Sequence, residues 1–147
     1  MKIGLVTCEE EENLYGEDVI LLNELIKRGH DSCPVVWNDK GVDFKAFNIL
    51  ILRSVWDYHY KIDEFQKWLG WIESQNICLI NSVDSIKFNI NKNYLSFFTE
   101  SGFNVVPSYF LKNATPSLLK TFYKYFNCEE IIIKIGVFMQ IVFVEIG

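Results

Sequence analysis

The sequence has no paired cysteines, no glycine-rich phosphate loop and no apolar run of membrane length, and each absence narrows what it can do. Cys8, Cys33, Cys78 and Cys128 are widely spaced without a CxxC pair, and the two histidines, His30 and His59, stand apart. That spacing indicates neither a metal site nor a disulfide framework; buried free thiols in a reducing cytoplasm fit it. Walker-type, GxGxxG, HExxH and GxSxG patterns are all missing, which removes the common nucleotide-binding and hydrolase signatures. Acidic residues outnumber basic ones, 19 Asp and Glu against 14 Lys and Arg, for a net charge of −5. A phosphate-backbone binder carries a basic face, so no nucleic-acid partner is expected. Met1 to Thr7 reads as a strand running into Glu9 to Glu12, unlike a signal peptide, so neither export nor a membrane span is expected.

What remains is a chain of 147 residues, 50% apolar and 16% aromatic, enough to bury a core in one domain or in one small domain plus part of a second. Lys2 to Thr7 is a buried strand, and Glu17 to Arg28 carries Val19, Leu22, Leu25 and Ile26 at helical spacing before stopping at Gly29. Asp31 to Trp37 gives a second strand, placed at a sheet edge by Pro34, and Phe47 to Leu52 a third. Ile62 to Ser74 reads as an amphipathic helix, and Ile77 to Asn81 as a fourth strand. Strands alternating with helices imply a parallel α/β sheet. From about Ser82 the pattern changes to short helices, an extended Val105 to Leu111, a helix from Thr115 to Phe126, and two strands about a Gly136 turn.

One cluster carries chemistry. Arg53, Ser54, Trp56, Asp57 and Tyr58 follow the third strand directly, at the carboxyl edge of the sheet, where open α/β folds bind ligands. Arginine offers a planar fork for carboxylate or phosphate, aspartate accepts from amines, and tryptophan supplies a rigid wall, so the group suits a small zwitterion. A pairing of Arg53 with Asp57, with Trp56 packed under a helix, explains the same residues without a ligand. Two lysines also stand out: Lys92 at the start of a helix and Lys134 among isoleucines. Each position is costly for a cation unless an anion such as phosphate compensates, though a solvated helix end and a protective edge strand account for them equally.

Together these segments resemble ATP-grasp ligases. The likeness rests on Val6-Thr7-Cys8-Glu9 with Leu14-Tyr15, on Arg53 to Tyr58, on Asn81-Ser82 with Phe88 to Leu95, and on Val106-Pro107 followed by Ile133-Lys134. The glutathione-synthetase-like group that includes the cycloserine-biosynthesis ligase is the nearest. The resemblance implies a Rossmann-like domain over residues 1–85 and part of an ATP-grasp subdomain over 86–147. It also implies chemistry with ATP and magnesium through an acyl phosphate, phosphate contacts by Lys92 and Lys134, and an amino-acid-like small-molecule substrate facing Arg53 to Tyr58.

After Lys134 the likeness stops. The loop over the phosphates, the adenine-contacting strand and the late Glu, Asp and Asn that hold magnesium have no counterpart, so lysines alone should not support phosphoryl transfer. Phe138-Met139-Gln140-Ile141 back-translates as TTY-ATG-CAR-ATH; one base earlier it reads YAT-GCA-RAT, a small polar run closer to the family pattern. The expectation is therefore the amino-terminal fragment of a ligase, truncated or frameshifted after about residue 134 and inactive alone. The alternative is a non-catalytic α/β module that binds a small molecule or a protein. Val137 to Val144, apolar and uncharged, is expected to leave an unpaired edge and to promote self-association.

Overall fold

The computed structural model describes residues 1–90, 94–105, 108–111, 115–126, 131–135 and 140–144. They fall into two compact units, Met1–Ile86 and Lys87–Gly147.

The first unit is built on β1 (Lys2–Thr7), α1 (Gly16–Lys27), β2 (Asp31–Val36), β3 (Ile49–Leu52), α2 (Ile62–Ser74) and β4 (Leu79–Ile80). Its strands form one sheet in the order β2-β1-β3-β4, and every neighbouring pair is parallel. The α/β class with a parallel sheet is as the alternation of elements implied. β1 lies inside the sheet and is buried from Ile3 to Thr7, the pattern of a strand covered on both faces. Pro34 does sit on the edge strand β2, where its missing N–H breaks no ladder on the outer side.

Gly4 explains how tightly this sheet is packed. A methyl group on it would lie 2.8 Å from Leu50 Cδ2 and 2.9 Å from Val35 Cγ2, so the neighbouring strands close over a position only glycine can fill. α2 buries Phe65, Leu69 and Ile72, as its spacing predicts. Phe65 and Trp68 stack at 5.6 Å, and Trp37 meets Phe65 edge-on at 5.2 Å, so one side of the core is largely aromatic.

α1 behaves differently from its apolar spacing. Leu22 and Leu25 are half-buried, Val19 and Ile26 are exposed, and the one fully buried residue of the helix is Asp18. Its end follows the sequence: Gly29 takes a left-handed conformation, while its N–H bonds Ile26 O and that of His30 bonds Leu25 O. α2 closes in the same way with Asn76 at φ 54° in place of glycine, and Ile77 N–H bonds back to Ile72 O. That return occupies Ile77, so β4 starts at Leu79 and is shorter than the sequence pattern implied. β3 likewise starts at Ile49, because a 3₁₀ turn over Phe44–Ala46 holds Phe47 as its cap.

The remaining helices are α3 (Val83–Ile90), α4 (Tyr94–Glu100) and α5 (Pro116–Phe126), and the remaining strands β5 (Ser108–Leu111), β6 (Ile131–Ile135) and β7 (Gln140–Val144). Ser82 caps α3 through Ser85 N–H, and Thr115 caps α5, where Pro116 occupies the first position. α4 ends at Gly102, φ 81°, with the Phe98–Phe103 ring contact at 5.7 Å that accompanies this type of helix stop.

The second sheet corrects an expectation. Its order is β5-β7-β6 with both pairings antiparallel, so β7, within the Val137 to Val144 segment, is hydrogen-bonded on both sides. β5 returns to cover the edge that sequence order alone leaves open. The Gly136 turn lies outside the described residues. The cysteines also differ from the expected uniform burial: Cys8 is buried, Cys33 is half-buried, and Cys78 is exposed. Burial, outweighing the charge of Lys2, raises the Cys33 thiol above its ordinary value. Cys128 lies outside the described residues. No helix among the described residues is long and apolar enough to cross a membrane.

Candidate functional site

The parallel sheet directs the ends of β1 and β3 to one edge, where Thr7 and Arg53 become neighbours: Arg53 N–H bonds Val6 O and Trp37 N–H bonds Thr7 O. Thr7 Oγ1 donates to Glu11 O at 2.8 Å and fastens the following loop. That loop holds Leu14 buried at φ 70°, a conformation strained for a bulky residue, before the chain enters α1.

Asp18 is the anchor. It lies in the first turn of α1, 5% exposed; its Oδ1 accepts from Arg53 Nε at 2.6 Å and lies 2.6 Å from Nη2 of the same guanidinium. Its Oδ2 accepts from Ser54 Oγ. A carboxylate at a helix amino terminus gains from the macrodipole as well as from the arginine, which lowers the cost of its burial. The arginine side chain remains 41% exposed. Three residues further along, Trp56, 51% exposed, meets Tyr15 edge-on at 5.0 Å. A half-used guanidinium thus stands at the carboxyl edge of the sheet with an aromatic pair in the same two loops.

Asp57 faces the other way. It is 4% exposed, and its Oδ1 accepts from the Trp37 indole N–H at 2.9 Å. Its Oδ2 lies 3.2 Å from Lys61 Nζ, close enough for charge attraction but without the alignment of a hydrogen bond. Lys61 also reaches Glu9 Oε2 at 3.3 Å, and Glu9 Oε1 accepts from Asn38 Nδ2 at 2.9 Å. Partial desolvation pulls the Lys61 ammonium down, but the two carboxylates of Asp57 and Glu9 outweigh it and hold it above its ordinary value. This chain of contacts ties the β1–α1 loop, the end of β2 and the 3₁₀ turn Trp56–His59 to α2.

Of the residues singled out from the sequence, Arg53 and Ser54 meet at Asp18, Trp56 is exposed, and Asp57 is buried. Tyr58 is half-buried, its ring 5.5 Å from Phe65. The alternative pairing of Arg53 with Asp57 is not found, because each has its own partner: Asp18 for the arginine, Trp37 and Lys61 for the aspartate. Trp56 is likewise not packed under a helix. Lys92 lies outside the described residues, and Lys134 is placed on β6 opposite Ile141, by strand register alone.

Sequence reasoning missed Asp18, Tyr15, Lys61 and Trp37. Asp18 was legible, since it shares the inward stripe of α1 with Leu22 and Leu25, where an acid is worth burying only against a cation. Lys61 follows Asp57 at i+4, a spacing the sequence shows, whereas Tyr15 and Trp37 depend on contacts between segments that spacing does not reveal. Among the described residues no group of three or more His, Cys, Asp or Glu is arranged to hold a metal ion.

Comparison with known proteins agrees with this architecture. Residues 3–81 match the family described as D-cycloserine synthetase DcsG, N-terminal domain. Among solved structures, D-cycloserine synthetase DcsG superposes with a TM-score of 0.71 at 16% identity, over 98% of this chain and 59% of that one. The macrocyclase MdnC from Microcystis aeruginosa MRC, solved with the precursor peptide MdnA, gives 0.51 at 13% identity, over 92% and 55%. D-alanine–D-alanine ligase from Bacillus anthracis gives 0.52 at 16% identity, over 99% and 49%. The chain therefore spans about half to three-fifths of the length of these ligases. No curated protein sequence matches.

Proposed function

Because the chain belongs to the family of the D-cycloserine synthetase DcsG N-terminal domain, we propose that it supplies the amino-terminal, substrate-holding portion of an ATP-grasp ligase. The observation that carries this reading is Arg53, clamped by Asp18 and still two-fifths exposed, with the Trp56–Tyr15 ring pair on the same two loops. A guanidinium held in place loses little freedom when it binds, and its free edge matches a carboxylate. The site is read as holding the carboxylate of a small amino-acid-like substrate against the indole of Trp56. Asp57 and Ser54 are positioning residues here: Ser54 keeps Asp18 oriented toward Arg53, and Asp57 fixes the turn that carries Trp56 and Tyr58.

ATP and magnesium enter through the family. In the whole ligase they would supply phosphoryl transfer to a carboxylate, making an acyl phosphate that an amine then attacks. The described residues do not fit a resident magnesium ion, since the carboxylates at the site are already committed to Arg53, Ser54, Trp37 and Lys61. The chain alone is read as catalytically silent. Residues 1–85 form the substrate-side domain in this proposal, and Lys92 and Lys134 belong to the nucleotide side of the 86–147 portion.

Calorimetric titration of the full chain with a panel of small amino acids and their amides tests the assignment. A free carboxylate should be required, and Arg53→Met, which keeps the stem and removes the fork, should weaken binding about 10-fold or more. Equal binding of acid and amide, or no effect of the substitution, would refute it. Release of phosphate from ATP by the isolated chain would refute the catalytic silence.

A further inference from the structure

A groove of about 370 Å³, lined in part by Trp37, opens between α2 and the segment that follows β2. Trp37 and Phe44 are its buried members, Trp68 and Trp71 rise from α2, and Asp39 and Glu64 stand at its rim with one ammonium, Lys40. Nothing in the reading of the Arg53 site uses it. Its size is within the range of small-molecule sites.

The rings are arranged like the walls of a box. Phe44 lies 5.7 Å from Trp68 at 69° and 6.1 Å from Trp71 at 70°, and Trp37 meets Trp68 at 69°. Rings set at steep angles around one opening can offer a face to the same small cation, which suits a compact cation more than a flat apolar ligand. Two carboxylates against one ammonium leave the rim negative, which favours the same sign. The box is also preformed. Trp37 is held by its hydrogen bond to Asp57, Asp39 Oδ1 accepts from Gly41 N–H at 2.7 Å to fix the rim turn, and Phe44 is locked in a 3₁₀ turn. Trp71 is the most open of the rings, 39% exposed on α2.

We infer that this groove is a second binding site, for an organic cation of the quaternary or alkylated ammonium class, held by Trp68, Trp71 and Phe44 with Glu64 and Asp39 at the rim.

Choline and its uncharged carbon isostere, 3,3-dimethyl-1-butanol, separate this from a merely apolar cleft. Three of the four tryptophans line the groove, so fluorescence of the full chain reports occupancy directly. Choline should produce a saturable change, and the alcohol should bind about 10-fold more weakly or not at all. Trp71→Leu should weaken choline about 5- to 30-fold and Glu64→Gln about 3-fold; both positions are exposed, and circular dichroism confirms that the variants fold. Equal affinity for the alcohol, the absence of a saturable response, or a choline response unchanged in both variants would overturn the inference. The Arg53→Met variant should bind choline normally, so failure at one site does not decide the other.

Discussion

Asp18→Ala removes the shared acceptor of Arg53 and Ser54 in one step, and its cost can be worked from their surroundings. Ser54 is 3% exposed, so its hydroxyl would be left without a partner, at about 1–3 kcal/mol. Arg53 is two-fifths exposed and can turn to water, so its lost ion pair is discounted to about 1 kcal/mol or less. Loss of a negative charge from the first turn of α1 adds about 0.5 kcal/mol. The total is about 1.5–4.5 kcal/mol, a fall of roughly 6–36 °C in the melting temperature of a unit this size. All four tryptophans lie within Met1–Ile86, so urea denaturation followed by their fluorescence reads this unit. A double-mutant cycle with Arg53→Met sharpens the test: the arginine substitution should cost less in the Asp18→Ala background, with a coupling of about 1 kcal/mol. If Asp18→Ala unfolds within about 0.5 kcal/mol of the parent chain, or the two substitutions are additive, the clamp is not what orders Arg53.

Gly4→Ala should destabilise the same unit by about 1–3 kcal/mol in urea, because its methyl group would meet Leu50 and Val35 inside ordinary contact distance and strands on both sides prevent escape. Asn76→Ala should cost about 1 kcal/mol by forcing a β-carbon residue without a local hydrogen-bonding side chain into φ 54°, whereas Asn76→Gly should be neutral or stabilising; thermal melts of the pair read the sign. Lys61 is held above its ordinary value by Asp57 and Glu9 against partial desolvation, so its stabilisation is fully present below about pH 10.5 and is lost as pH rises through the higher folded value. Lys61→Met should therefore flatten the alkaline decline in urea midpoint relative to the parent chain, and identical alkaline slopes would count against the Asp57–Lys61–Glu9 contact.

Much of the first unit was legible in the chain. β1, α2 and the parallel class follow from local rules: buried β-branched runs, a 3.6-residue apolar stripe, and helix stops at residues that tolerate positive φ. The edge position of Pro34 follows from its missing donor. Arg53 and Trp56 were found because a strand ended in polar and aromatic residues, a local signal. The ATP-grasp relationship was readable because it rests on ordered short segments, each visible in one dimension.

Tertiary structure decided what those residues do. Arg53 and Asp57 are four positions apart and of opposite charge, and nothing in the sequence says they avoid each other. The sheet brings α1 and β2 to the same edge, Asp18 reaches the arginine first, and Trp37 and Lys61 take the aspartate. Only the folded chain could make that choice, because ion pairs and buried hydrogen bonds depend on distances of a few ångströms between segments 20 to 36 residues apart. The same holds for β7. Its composition marks a strand, but whether a strand is an edge or a centre depends on which other segment returns to pair with it. β5 does so in this fold, satisfying on the second side the backbone groups that sequence alone leaves open.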